Sequence, residues 1–463
     1  MTDAVPTLAD ASRLIATGAL SPVELTRAAL ARAEALDPRL HAFITLLPER
    51  ALAAARKAEA ELARGERRGP LHGIPYALKD IIDVAGVATT AHSRLLRDNI
   101  AGANADVTTR LENAGMVLIG KTSLHEFARG GPGDDLPWPN ARNPWDTDRS
   151  CGGSSSGSAV AVAAGMVGLA IGTDTGGSVR FPAACTGIVG LKPTYGCVSR
   201  RGVIPLSFSL DHVGTLTRTV ADSALALAAL AEHDSRDADF TAAGGVDDLS
   251  ALDTPVAGMR IGVARAYNAE SAVDDEQQEA VERAAFVLSE LGAQVDDVTL
   301  PPRDLYDAAT WTIILAEGFS VHQQDLRQRA DQYGRTARER LSIGALVTAA
   351  DYVGAQRLRK LLIAETDDAL AGFDAMLCAG AVSAPPRLDQ VDDGPWRKRH
   401  PITAPFNLTG HPALALPAGA AVSGLPLSLQ LVGKRFDETT LLRIGHALER
   451  SVAWRDFRPP WTR

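Results

Sequence analysis

Two kinds of pattern share this chain. Over its first ~65 residues apolar positions recur at the three-and-four spacing of a helix with one buried face, and predict three helices. The second opens on Ser21-Pro22-Val23-Glu24, a capping box with proline at the first helical position, and keeps its apolar period as far as Leu36. An alanine-rich run over 50–64 stops at Gly65, a suitable helix end. From Leu71 short apolar runs take over, at 74–79, 116–120 and 167–171, with helix-like segments between them. Runs of strand length separated by helices predict an α/β sandwich around a buried sheet.

Residues 232–256 are rich in Asp, Gly and Ala, lack periodicity, and read as a surface excursion. Helical spacing dominates 274–292 and 305–372. Strand-like runs return at 375–378, 413–417 and 427–433, and a last helix is expected over 438–451. These divisions predict one domain over 1–463: N-terminal helices over 1–65, an α/β core over about 66–230 and 400–463, and a helical insertion over about 265–400.

With 463 residues, 46% hydrophobic and 22% charged, the chain can build a large core. A net charge of −9 argues against binding a phosphate backbone, and its one compact basic cluster, Arg64-Gly65-Glu66-Arg67-Arg68, is broken by a glutamate. No nucleic-acid partner is expected. Cys151, Cys185, Cys197 and Cys378 have neither zinc-like spacing nor the density of a disulfide framework, and a reducing compartment fits. The start lacks a basic segment followed by an apolar run, and the longest apolar stretch, 159–171, is too short for a membrane span. The expectation is a soluble cytoplasmic protein, with a homodimer as the default assembly.

Candidate chemistry lies on two glycine-flanked turns, Cys151-Gly152-Gly153-Ser154-Ser155-Ser156-Gly157-Ser158 and Gly172-Thr173-Asp174-Thr175-Gly176-Gly177-Ser178. Each precedes a segment able to be helical, where backbone N–H groups point outward. Gly176 and Gly177 allow the amides of Thr175, Gly176, Gly177 and Ser178 to surround one point, where a carbonyl oxygen turning negative could be held. Losing one such donor costs about 3 kcal/mol in a barrier. A plain strand-to-helix turn is the simpler reading of a lone Gly-Gly-Ser.

A serine hydroxyl needs a base. His72, His92, His125, His212 and His411 belong to no recognisable triad motif and read as structural. A lysine made neutral by burial is the alternative, since full burial can lower a lysine pKa by roughly 3 to 5. Lys79, closing an apolar run and followed by Asp80, is the best placed, although a strand-end lysine with its ammonium in water is the simpler reading from that motif alone. Gly153-Ser154-Ser155-Ser156-Gly157 also fits the G-x-S-x-G nucleophile pattern with Ser155 at its centre, but no HGGG run accompanies it, and His446 sits within an amphipathic helix.

The stretch from Gly152 to Gly196 resembles the signature segment of the amidase signature family over nearly its whole length. Supporting blocks are Leu71 to Asp80, Gly120-Lys121-Thr122, Arg142 to Asp146, Ser209 to Gly214 and Pro405 to Ala413. The resemblance covers most of 10–230 and 400–455. It implies the amidase signature fold, α/β with a large mixed β-sheet covered by helices on both faces, and a triad of Ser178 as nucleophile, Ser154 as bridge after a cis peptide, and Lys79 as base. It further implies an acyl-enzyme, no metal or organic cofactor, and Asp174 with Arg180 as a buried pair holding the nucleophile turn. Ala128, Gly130 and Gly131 are expected with Thr175, Gly176 and Gly177 on the oxyanion and substrate side.

Cys151 stands where the family often has proline, and Ser156 where many members have glycine; neither removes a triad member. The glutamine-using transamidosome component of this family usually carries Ser-Ser-Thr-Glu after the position of Phe127 and Asn-Leu-Ala-Arg-Tyr-Asp near 311. This chain instead has Arg129-Gly130-Gly131-Pro132 and Trp311-Thr312-Ile313-Ile314. The expected activity is therefore hydrolysis of the C–N bond of a small amide, urea or carbamate by a stand-alone enzyme. A component of a tRNA-dependent amidotransferase that releases ammonia from glutamine is the alternative, and an inactive scaffold a third. Asp134, Asp135, Trp138, Trp311 and Glu317 are candidates for the substrate pocket, with surface placement the simpler reading of both aspartates.

Overall fold

A computed structural model describes residues 4–231, 236–237, 244–246, 248–390, 401–452 and 457–459. Much of the 232–256 stretch lies outside the described residues. Among those described, eleven strands form one sheet. They are β1 (Phe43–Leu46), β2 (Pro75–Lys79), β3 (Val117–Thr122), β4 (Leu169–Asp174), β5 (Val189–Lys192), β6 (His212–Thr217), β7 (Arg260–Val263), β8 (Gln294–Asp297), β9 (Ala375–Ala379), β10 (Ala413–Ala420) and β11 (Pro426–Gly433). Their order is β1-β3-β2-β4-β6-β5-β10-β11-β9-β7-β8. The sheet is mixed: β2 runs parallel to β3 and β4, the strands from β4 through β9 pair antiparallel, and β7 lies parallel to both β8 and β9.

Every residue of β2, β3, β4, β5, β6, β9 and β11 is buried, which requires cover on both faces. Part of that cover is the helix Ser156–Ala163, buried on all sides, whose small residues let it sit closely against the sheet. A smaller apolar cluster of Leu210, Tyr306, Ile313, Ile314, Leu362 and Leu408 seats the helix Arg303–Gln328 beside the strand ends that carry the serine turns.

The expected N-terminal helices form as Leu8–Ala16, Pro22–Leu40 and Pro48–Ala63, and the last helix spans Glu438–Ser451. Between the second and third lies β1, an edge strand too short to break the helical pattern visibly. Within the 265–400 stretch, expected to be mainly helical, the strand-like run at 375–378 forms β9, and the unexpected β8 joins it and β7 to complete one end of the sheet. The sequence of β8 is Gln-Val-Asp-Asp on an exposed edge, so no apolar alternation marks it. In β5 and β6, buried Lys192, His212, Thr215 and Thr217 interrupt the apolar positions that would mark a strand. No described helix is long and apolar enough to cross a membrane.

The capping box is formed: Ser21 Oγ accepts from Val23 and Glu24 N–H at 3.1 Å each, and the Glu24 carboxylate accepts from Ser21 N–H at 3.2 Å. Ser21→Ala removes an acceptor for two otherwise unpaired amides and is expected to cost about 1 kcal/mol. A lowered urea midpoint at unchanged slope would show this.

Candidate active site

Three strand ends build the site. Lys79 closes β2, and alternation along the strand turns it and Asp80 to opposite sides. Asp80 pairs with Lys121 of β3 at 2.8 Å. Lys79 is left with hydroxyls: its Nζ lies 2.7 Å from Ser154 Oγ and 2.8 Å from Thr173 Oγ1. The side chain is fully buried, and burial brings the amine down to about 7, with the charges of Asp174 and Asp211 opposing the shift.

Beyond β4 the chain turns through Thr175, Gly176, Gly177 and Ser178 into the helix Arg180–Thr186. Gly177 has φ +126°, and a Cβ there would run into Thr403 Oγ1, so the turn takes only glycine. Asp174 organises it. Its carboxylate accepts from Gly177 N–H at 2.7 Å and Val179 N–H at 3.0 Å, and it pairs with Arg180 at 2.9 Å. Arg180 also donates to Thr403 O, Gln430 Oε1 and Asn407 Oδ1, so both charges are buried and bonded. Burial would raise the Asp174 carboxyl, but the Arg180 charge and hydrogen bonds outweigh it and hold the group well below the usual carboxylate range.

The second serine turn lies against the first, because Ser155 N–H donates to Ser178 O at 3.1 Å. The Gly153–Ser154 peptide is cis, and Ser154 O accepts from His125 N–H at 3.0 Å. Ser155 is tied by its hydroxyl to the Thr173 backbone at 3.2 and 3.3 Å, a structural position that takes it out of the G-x-S-x-G reading.

A cavity of about 200 Å³ opens where the turns meet. Ser154, Ser178, Ala128, Gly130, Thr175, Gly176 and Gly177 all line it. Gly131 sits beside it, near Arg340. Lys79, Asp174 and Arg180 stand behind the wall, and the described hydrogen bonds do not join the Ser154 and Ser178 hydroxyls. One expectation is corrected. The Gly177 N–H is committed to Asp174, so Gly177 gives the turn its shape rather than a donor for substrate; no protein acceptor takes the Thr175, Gly176 or Ser178 amide among the described residues.

Of the five pocket candidates only Trp311 reaches the cavity. Asp134 is exposed, Asp135 accepts from Arg335 N–H, Trp138 stacks edge-on against His92, and Glu317 holds Ser207, Ser209 and Tyr352. Sequence reasoning misses Thr173, although its place one strand residue before Asp174, on the Lys79 side, is a usable signal. It also misses Asp211, which accepts from Thr175 Oγ1 at 2.6 Å, and His125, Arg129 and Arg340, which line the cavity without any local motif. Burial pushes the His125 imidazole down to about 3 and the Asp211 carboxyl up to about 6.

A family model described as Amidase matches residues 24–442. The chain is 40% identical to the glutamyl-tRNA(Gln) amidotransferase A chain of Chloroflexus aggregans, an alignment covering 99% of this chain and 98% of that one. The peptide amidase of Stenotrophomonas maltophilia superposes with a TM-score of 0.86 at 34% identity, covering 98% of each chain. A protein solved as part of a vestigial complex that bears on the origins of an s-triazine catabolic enzyme superposes with a TM-score of 0.90 at 34% identity, covering 96% of this chain and 98% of that one.

Arg180→Met leaves Asp174 buried without its cation and is expected to cost about 3–5 kcal/mol at neutral pH. In that variant the folded-state carboxyl rises above its unfolded value, so stability should recover as pH falls toward 5, opposite in sign to the contribution of the paired Asp174. Denaturant titrations of both proteins at pH 7 and pH 5 would show the reversal.

Proposed function

The chain belongs to the amidase family, and on that premise we propose that it hydrolyses the C–N bond of small amides through an acyl-enzyme on Ser178. The observation carrying this reading is the fully buried Lys79 amine in contact with two hydroxyls and no carboxylate. In its neutral form Nζ has a lone pair to receive the Ser154 hydroxyl proton, while an N–H donates to Thr173 Oγ1. Ser154 Oγ takes the proton of Ser178 as Ser178 Oγ attacks the carbonyl carbon. Hydrogen bonds of this kind are often long without substrate and tighten in the complex.

The carbonyl oxygen becomes an oxyanion held by the Thr175, Gly176 and Ser178 amides. As the C–N bond breaks, the proton returns through Ser154 to the departing nitrogen. Water, deprotonated by the same relay, then attacks the ester; the carboxylic acid leaves and Ser178 regains its proton. Asp174 and Arg180 hold the turn and touch no reacting atom. Ureas, carbamates and esters present the same carbonyl to the same donors and belong to the proposed range.

A second reading has its own support: the relative at 40% identity is one component of a glutamyl-tRNA(Gln) amidotransferase, matched over nearly its whole length. It expects glutaminase activity that depends on a partner chain. Hydrolysis of simple amides by the purified chain alone favours the stand-alone enzyme; inactivity until partner chains are added favours the other.

A fluorophosphonate is expected to label Ser178 in the intact protein, and labelling and amide turnover should both fall roughly a thousandfold or more in Lys79→Ala. Labelling that survives Lys79→Ala would contradict the relay. Because the base must be unprotonated, kcat/KM is expected to rise with pH through about 7 and level off above it.

A further inference from the structure

Arg129 follows Ala128 on the loop that faces Ser178 and lines the same cavity. Its guanidinium lies 5.0 Å over the Trp311 ring. Arg129 is half-buried; of the buried arginines, Arg180 and Arg303 pair with Asp174 and Asp307, while Arg32 and Arg218 donate to the carbonyls of Ala164 and Val5. Among the described residues no carboxylate pairs with Arg129, and none of the residues lining the cavity is an Asp or Glu. The wall does hold a second arginine, Arg340, whose Nη1 donates to Arg129 O at 3.4 Å. Burial and the charge of Arg340 lower the Arg129 guanidinium to about 10. A half-buried cation beside a like charge, and facing a cavity without an acid, is one that a bound anion would stabilise.

The arrangement is also held in place. Glu126 accepts from Ser93 Oγ and from Gly334 N–H, the latter at 2.9 Å, and so ties the loop before Arg129 to the start of the helix Arg335–Ser342 that carries Arg340. Phe127 and Ala128 take φ of +49° and +58°, turning the chain sharply just before Arg129. A planar guanidinium stacked on an indole keeps its N–H edge available, and that edge matches a carboxylate in a bidentate pair.

We propose that Arg129, backed by Trp311 and flanked by Arg340, forms an anion subsite beside Ser178, so that the preferred substrates are amides bearing a carboxylate. This rests on the amide-hydrolase reading above and adds the substrate class. A neutral amide enters the same cavity but brings Arg129 no carboxylate.

Binding measured by calorimetry on the Ser178→Ala protein tests the subsite without turnover. Two matched pairs place the charge on either side of the scissile bond: the monoamide of glutaric acid against the diamide, and N-acetylglycine against N-acetylglycinamide. At least one anionic member is expected to bind tenfold or more tightly than its neutral twin, with the preference abolished by Arg129→Gln and partly kept by Arg129→Lys. Absence of a charge preference in both pairs, or of any binding, overturns the proposal, as does a preference that survives Arg129→Gln. Should Arg129→Gln fail to fold, the parent comparison and Arg129→Lys decide it: an unchanged preference in Arg129→Lys overturns the guanidinium pairing. An intact enzyme that hydrolyses none of these amides while the preference stands would count against the hydrolase reading and not against the subsite.

Discussion

The burial of the Lys79 amine is the constraint around which the site is arranged. An ammonium taken out of water is costly unless a carboxylate stands against it, and a carboxylate so placed would fix its charge. Here the nearest acid in sequence, Asp80, is turned away to Lys121 on the neighbouring strand, while Lys79 meets Ser154 and Thr173. Two lysines on adjacent strands, equally buried, thus differ in partner and so in chemistry. Asp174 and Arg180 complete the separation. Asp174 spends its oxygens on Arg180, Asn407 and the amides of the nucleophile turn, so its negative charge is largely answered before it reaches Lys79.

Much of this can be read in the sequence, for reasons specific to each residue. Ser21 and Glu24 announce a helix because a capping box is a local device. Ser154 and Ser178 stand out because a tight turn leaves a glycine signature, and Gly177 shows why: its φ and the closeness of Thr403 admit nothing larger. Other parts are hidden by distance in the chain. Arg340 lies on a helix 211 residues beyond the carbonyl it bonds, that of Arg129, and no local pattern joins them. The strands β5 and β8 leave no mark in the text because burial of Lys192 in one and exposure of the other erase the apolar alternation of a strand. A glycine pair beside a serine suggests amides free for substrate; only the structure shows that Asp174 has claimed the one at Gly177.

Family and chemistry are read from different parts of the molecule. The sheet, the serine turns and the buried pair beneath them lie within the span that this chain shares with amide-cleaving relatives. Arg129, Trp311 and Arg340 lie within the same span but outside the Gly152–Gly196 signature segment, on one loop and two helices, and in the proposed subsite they bear on the choice of substrate. A strong likeness to the family can thus leave the substrate open: in the proposed mechanism the core acts on a carbonyl, and in the proposed subsite Arg129, Trp311 and Arg340 decide which carbonyl is admitted.

The proton relay depends on Lys79 being uncharged near neutral pH, and that can be measured at the residue itself. A carbon-13 NMR titration of lysine-labelled protein, with Lys79→Met to assign the signal, is predicted to show the Lys79 Cε titrating with a midpoint near 7. A midpoint near 10, the range of a lysine in water, would contradict the relay.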